Sequence, residues 1–110
     1  MEDDRLPTGL WVQAVLAQCS AAAIPAVVRR RGDPHTGVLI ARIDRLDGGN
    51  RLLTQQRDLD GVLRWVDALT DPNPDGAAVE AYIDRAVARD PDLWVIEVED
   101  REGRNPFETG

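Results

Sequence analysis

Lysine is absent from this chain, and all 13 basic residues are arginine. That excludes a Schiff-base lysine, a lysine general base and the lysine of a phosphate-binding loop. Cysteine occurs once, at Cys19, and histidine once, at His35. An intramolecular disulfide is therefore impossible, as is a metal site that takes two histidines or several thiolates from one chain. No apolar run approaches the roughly 20 residues needed to cross a bilayer. The opening MEDDRLPTG is acidic where a secretory leader carries positive charge before an apolar stretch. The expectation is a cytoplasmic protein with no membrane contact.

What is present describes one domain, residues 1–110, with ends at 1–7 and 105–110 expected to be mobile. Apolar residues at Val12, Val15, Leu16, Cys19 and Ala23 recur at helical spacing, predicting a helix from Thr8 to Ala23 with Thr8 as its N-cap and Pro25 beyond its end. PAVVRRR and GVLIARIDR, rich in β-branched residues, read as two strands joined in a hairpin through Gly32, Asp33 and Pro34. RLLTQQR follows a Gly-Gly-Asn turn, and its polarity suggests an edge or a solvated face. VLRWV completes a four-strand antiparallel meander. After the TDPNPDG loop, Val79, Tyr82, Ile83, Ala86 and Val87 form an apolar stripe on a helix near 74–89, with Asn73 and Pro74 as cap and first position. LWVIEVED is apolar on both faces before Glu97 and Glu99, which marks an interior strand whose far end meets solvent. The order is α-β-β-β-β-α-β: an α+β fold with a mostly antiparallel sheet and both helices on one face.

The chain has a net charge of -7, yet eight of its 13 arginines and only five of its 20 acids fall between residues 26 and 66. A mildly basic middle is thus flanked by acidic ends, and internal neutralisation is the simplest account. RRRGDPHTG, residues 29–37, concentrates Arg29, Arg30, Arg31, Asp33 and His35 in nine positions. Successive strand residues face opposite ways, so three arginines in a row give at most a pair on one face. The embedded RGD tripeptide is too short to carry an adhesion function. Glu97 and Glu99, two apart on a strand, share a face and, with Asp100, form the acidic group able to hold a cation or share a proton. The same residues also suit pairing with neighbouring arginines.

Without its extra strand, the element order is similar to that of the restriction-endonuclease-like nuclease core. That family couples acids to a lysine, which this chain lacks. IPAVVRRRGDPHTGVLIARI and DPDLWVIEVEDREGR, together with LWVQAVLAQC at 10–19, AYIDRAVARDPDLWV at 81–95 and EDREGR at 99–104, carry a closer likeness. In these segments the chain resembles domain of unknown function 1491, a group of small alphaproteobacterial proteins. The resemblance implies a bacterial cytosolic single-domain protein and transfers no catalytic residue.

The leading expectation is a non-enzymatic binding or adaptor domain for a protein partner or a small anionic ligand. It uses no cofactor, and self-association into a homo-oligomer is compatible with it. Binding residues are sought among Arg29, Arg30, Arg31, Asp33, His35, Trp94, Glu97, Glu99 and Asp100, with tryptophan as an interface anchor. No catalytic or metal-binding residue is assigned. Two alternatives are weak nucleic-acid binding through the arginine-rich hairpin, and a metal-dependent hydrolase using Glu97, Glu99 or Asp100 with Asp33 or His35. The last requires these side chains to converge.

Overall fold

The structure is a computed structural model, which describes residues 7–108. The expectation of a mobile start at residues 1–6 lies outside the described residues. Seven elements follow in the order expected: α1 (Thr8–Ala21), β1 (Ala26–Arg30), β2 (Leu39–Asp44), β3 (Asn50–Arg57), β4 (Leu63–Asp67), α2 (Gly76–Arg89) and β5 (Trp94–Glu99). They form a single α+β domain around one five-stranded mixed sheet, ordered β1-β5-β2-β3-β4.

The sheet is mostly antiparallel, but β2 and β5 run parallel at its centre. This placement corrects the expected hairpin: β1 and β2 do not pair, because β5 lies between them. The physical reason lies in β2 and β5 themselves. Leu39, Ile40, Ala41 and Ile43, and then Trp94, Val95, Ile96 and Val98, are all buried, so each strand is apolar on both faces and needs a neighbour on both edges. Pairing β1 with β2 would have left β5 at an edge. β3 is also interior, with Leu52, Leu53, Thr54 and Gln55 buried, so its polarity marked neither an edge nor a solvated face. Gln55 sits there because its Oε1 accepts the backbone N–H of Leu39 at 2.8 Å.

A sheet apolar on both faces needs cover on both, and the helices lie on opposite sides rather than together on one. Val12, Val15 and Cys19 of α1 pack with Leu39, Ala41, Ile43, Leu53, Trp94, Ile96 and Val98. Val79 and Ile83 of α2 pack with Ile40, Leu52 and Val95 on the reverse face. Burial pushes the Cys19 thiol pKa up, which leaves it an inert apolar group.

Two caps also differ from expectation. Pro7 stands at the N-cap of α1, while the Thr8 hydroxyl donates instead to the carbonyls of His35 and Gly37, at 3.2 and 3.1 Å. Asp75 caps α2, accepting the Ala78 N–H at 2.8 Å. Asn73 is diverted to the β2–β3 turn, where its Oδ1 accepts the Asn50 N–H. The segment 105–108 is irregular, with Phe107 3% exposed within the α1-side core, and the last part of the end expected to be mobile, 109–110, lies outside the described residues.

Candidate functional site

The segment 31–38 spans the end of β5. β1 and β2 flank that strand, so the chain must step across about 10 Å, two strand spacings, which no two-residue turn can do. It does so against Trp94. The indole Nε1 donates to the Asp33 carbonyl at 2.8 Å, Asp33 N donates to Asp92 O at 2.9 Å, and Trp94 N donates to Val38 O at 2.9 Å. Gly32 and Gly37 allow this closeness: a Cβ on either would meet the Asp92 carbonyl and stand 2.7 or 2.8 Å from the Trp94 ring. The Asp33 carboxylate accepts the backbone N–H groups of His35 and Thr36, at 2.8 and 3.0 Å, and these bonds hold its pKa below the usual carboxylate range. Trp94, 1% exposed, is therefore a core residue under a strap and not an interface anchor.

The three arginines separate in three directions. Arg29 forms a bidentate pair with Glu80 of α2 and a second bond, at 2.9 Å, to Glu97 of β5. Arg42 of β2 reaches the same two acids at 3.1 and 3.4 Å. The guanidinium of Arg29 pulls the Glu80 pKa down, and the two acids raise that of Arg29. Arg30 turns to the backbone carbonyls of Pro91 and Leu93, at 3.0 and 3.1 Å. Arg31 lies over the Trp94 ring, 5.4 Å from its centroid. No single basic face results from the run.

The acidic residues disperse in the same way. Glu97 is spent on Arg29 and Arg42, and Glu99 is exposed at the end of β5. Asp100, buried, accepts the Arg104 backbone N–H at 2.7 Å and its guanidinium at 2.8 and 3.1 Å, contacts that lower its pKa. Asp33 meets β5 at Trp94, so Asp100 lies about 20 Å away at roughly 3.3 Å per strand residue. The convergence a metal-dependent hydrolase requires is not found, and the described residues contain no group of three or more His, Cys, Asp or Glu able to hold a metal ion.

An open cleft lies where sequence reasoning did not look. α1 packs on Leu53 and on the β1, β5 and β2 side of its face, and beyond it the end of β3 at Arg57 and the side chains of Leu63 and Trp65 in β4 are less covered. There a cleft of roughly 770 Å³ is bounded by Trp11 of α1, Trp65 and Leu63 of β4, Gln55 and Arg57 of β3, His35 of the strap, and Phe107. Phe107 stacks edge-on to Trp11, with centroids 5.3 Å apart, and at a tilt to Trp65, at 6.2 Å. Arg57 and the exposed His35 put cationic and titratable groups at the rim, although Arg57 Nη1 already donates to Gly61 O at 2.7 Å. The sequence signal was faint. Three of the five aromatic residues belong to this cleft, but they come from three separate parts of the chain. Of the expected binding residues, only His35 lines it.

The molecule is thus a small single-domain α+β protein with a solvent-open aromatic cleft on one face of a mixed sheet. Within that class it belongs to the DUF1491 family, described as proteins of unknown function, whose model matches residues 6–108. It is similar to a DUF1491 family protein from Caulobacter crescentus CB15 in its crystal structure, at 34% identity over 96% of each chain with a TM-score of 0.82. An NMR structure of a DUF1491 family protein from the same organism matches at 34% identity over 94% of this chain and 93% of that one, with a TM-score of 0.81. The solution structure of Atu0922 from A. tumefaciens is 25% identical over 86% of both chains, with a TM-score of 0.72. No curated protein matches the chain. Among the described residues, no helix is long and apolar enough to cross a membrane.

Proposed function

We propose that this protein is a non-enzymatic binding module whose ligand is a small anionic molecule with a flat apolar body, received in the aromatic cleft. The observation that carries the reading is the joining of Trp11, Trp65 and Phe107 along one opening with Arg57 and His35 at its rim. A concave apolar surface with a few convergent polar groups is the usual form of a small-molecule site. Aromatic rings offer a flat ligand stacking area, and a guanidinium at the rim favours a carboxylate or sulfonate at one end. The strap that follows the arginine-rich end of β1 supports the site from behind. Arg31 and Asp33 are engaged within the protein, and the strap's contribution to the cleft is His35, Thr36, Gly37 and Val38.

Tryptophan emission tests this directly, because Trp11 and Trp65 line the cleft while Trp94 is buried behind the strap. Titration with indole-3-acetate and with benzoate is expected to quench or shift the emission saturably. Trp65→Ala should abolish the response and Arg57→Gln should weaken it for the acids but not for neutral indole. A flat titration with every probe, or an unchanged response in Trp65→Ala, overturns the assignment.

A further inference from the structure

The floor of the aromatic cleft carries a hydrogen-bond donor that the protein does not use. Leu53, in the α1-side core, and Gln55 are two apart on β3 and share that face, and Gln55 stands directly across from Trp65 of β4. Gln55 is 9% exposed and lines the cleft. Its Oε1 accepts the Leu39 N–H at 2.8 Å, which fixes the amide's orientation and makes Nε2 the end with two donors. Nε2 has no acceptor among the described residues, yet it is not sealed off: there, Asn105 Nδ2 is the one side-chain atom both shielded from solvent and without a partner. β2 and β4 flank β3, and α2 packs on its reverse face, so the space left to the Gln55 amide is the cleft.

The other buried polar side chain bordering the cleft, Thr8, already donates to the carbonyls of His35 and Gly37. His35, Thr36, Arg57, Arg64 and Glu108 border it at exposed positions. Gln55 is therefore the donor best placed to read the body of a ligand and not its charged end.

We propose that Gln55 decides which flat anions the cleft accepts: Nε2 donates in the plane of the ligand to a ring nitrogen or ring carbonyl, so that the ligand class is a heteroaromatic acid. This rests on the cleft being the binding site. As a cross-strand pair, Gln55 and Trp65 have Cβ atoms about 5 Å apart, which puts the amide beside the ring on which a ligand stacks. Arg57 lies two residues along the same face of β3, about 7 Å away. That distance suits a six-membered ring with its carboxylate toward Arg57 and an acceptor toward Gln55. Without a donor the preference would run the other way, since a ring nitrogen loses its water on entering an apolar site and a ring carbon has none to lose.

Benzoate, nicotinate and isonicotinate test this, because they match in shape and, in mildly alkaline buffer where the pyridine nitrogen is unprotonated, in charge. Each is titrated into the protein while NMR follows the Gln55 side-chain amide and the Trp65 indole N–H. At least one pyridine acid should bind about three- to tenfold more tightly than benzoate, the effect of one neutral hydrogen bond, and should move the Gln55 amide protons downfield. Gln55→Glu keeps an acceptor for the Leu39 N–H and removes the amide donor. Its added charge weakens all three acids, but the ratio between them should fall to one or turn in favour of benzoate. Should that variant fold poorly, Gln55→Met, similar in length and without a donor, gives the same comparison. Binding in which benzoate equals or exceeds both pyridine acids, or a ratio unchanged in a folded Gln55 variant, overturns the role of Gln55 while leaving the cleft as the site. Absence of binding by all three acids overturns it too, and the cleft falls with it if indole-3-acetate also fails to bind.

Discussion

The two faces of the sheet are closed in different ways. On the α2 side, charge completes the apolar packing: Arg29 and Arg42 hold Glu80 of the helix and Glu97 of the sheet in one four-residue network. On the α1 side, aromatic residues from three parts of the chain border an open cleft beside β4 and the end of β3. Charged groups that satisfy one another inside a protein have little left to offer a ligand. Trp11 and Trp65, half-buried beside an open volume, keep that capacity. The proposed reading puts the ligand on the side with fewer charges, whereas the sequence alone pointed to the arginine-rich segment.

The largest effect is expected where the strap meets the α1-side core. Trp94→Ala removes a fully buried ring, its bond to Asp33 and the seat of Arg31, and should cost about 3–5 kcal/mol in a denaturant unfolding experiment. Trp65→Ala, at a half-buried ring of the cleft, should cost only about 1–2 kcal/mol, since less apolar area returns to water. If the two losses prove equal, the distinction between core and cleft tryptophans breaks down.

On the α2 side, Glu80→Gln should cost under about 1 kcal/mol, because these partly exposed ion pairs are screened by solvent. Its larger signature is in pH dependence. The folded-state pKa values of Glu80 and Asp100 lie below their ordinary values of 4.5 and 3.8, so both groups stabilise the fold fully above those values. That contribution is lost as pH falls through the ordinary values toward the lowered ones. Stability measured from pH 6 downward should therefore decline below about pH 4.5, more gently in Glu80→Gln. An identical acid profile in the variant would show that the α2 network adds nothing to stability. The smallest effect is expected for Arg31→Ala, about 0.5–1 kcal/mol from the lost contact with the Trp94 ring.

Much of the architecture was legible in the chain because its causes are local. Helical spacing in LWVQAVLAQC and AVEAYIDRAV, turn residues at Asp47–Asn50 and Asp60–Gly61, and alternation in the strands gave every element in order. The apolar character of LWVIEV on both faces correctly marked an interior strand. The same argument applied to VLIARI would have separated β1 from β2 and put a helix on each face, since a strand apolar on both sides cannot leave either one bare. The site was less legible. Trp11, Trp65 and Phe107 are far apart in the sequence, and Phe107 lies in a segment whose composition resembles a loose tail. Nothing local tells that Asn105 and its bond to the Phe107 N–H bring that ring into the core.

RRRGDPHTG shows where the division falls. Its residues by themselves determined that the chain leaves a strand there and that adjacent arginines diverge, while the composition of the 110 residues excluded lysine chemistry and paired-histidine metal sites within them. The tertiary structure alone decided that the segment crosses β5 as a strap over Trp94, that Arg29 neutralises Glu80, and that His35 reaches the rim of a cleft. Periodicity and side-chain chemistry are properties of a few neighbouring residues. Which strand lies beside which, and which charges find each other, depends on burying both faces of one sheet at once.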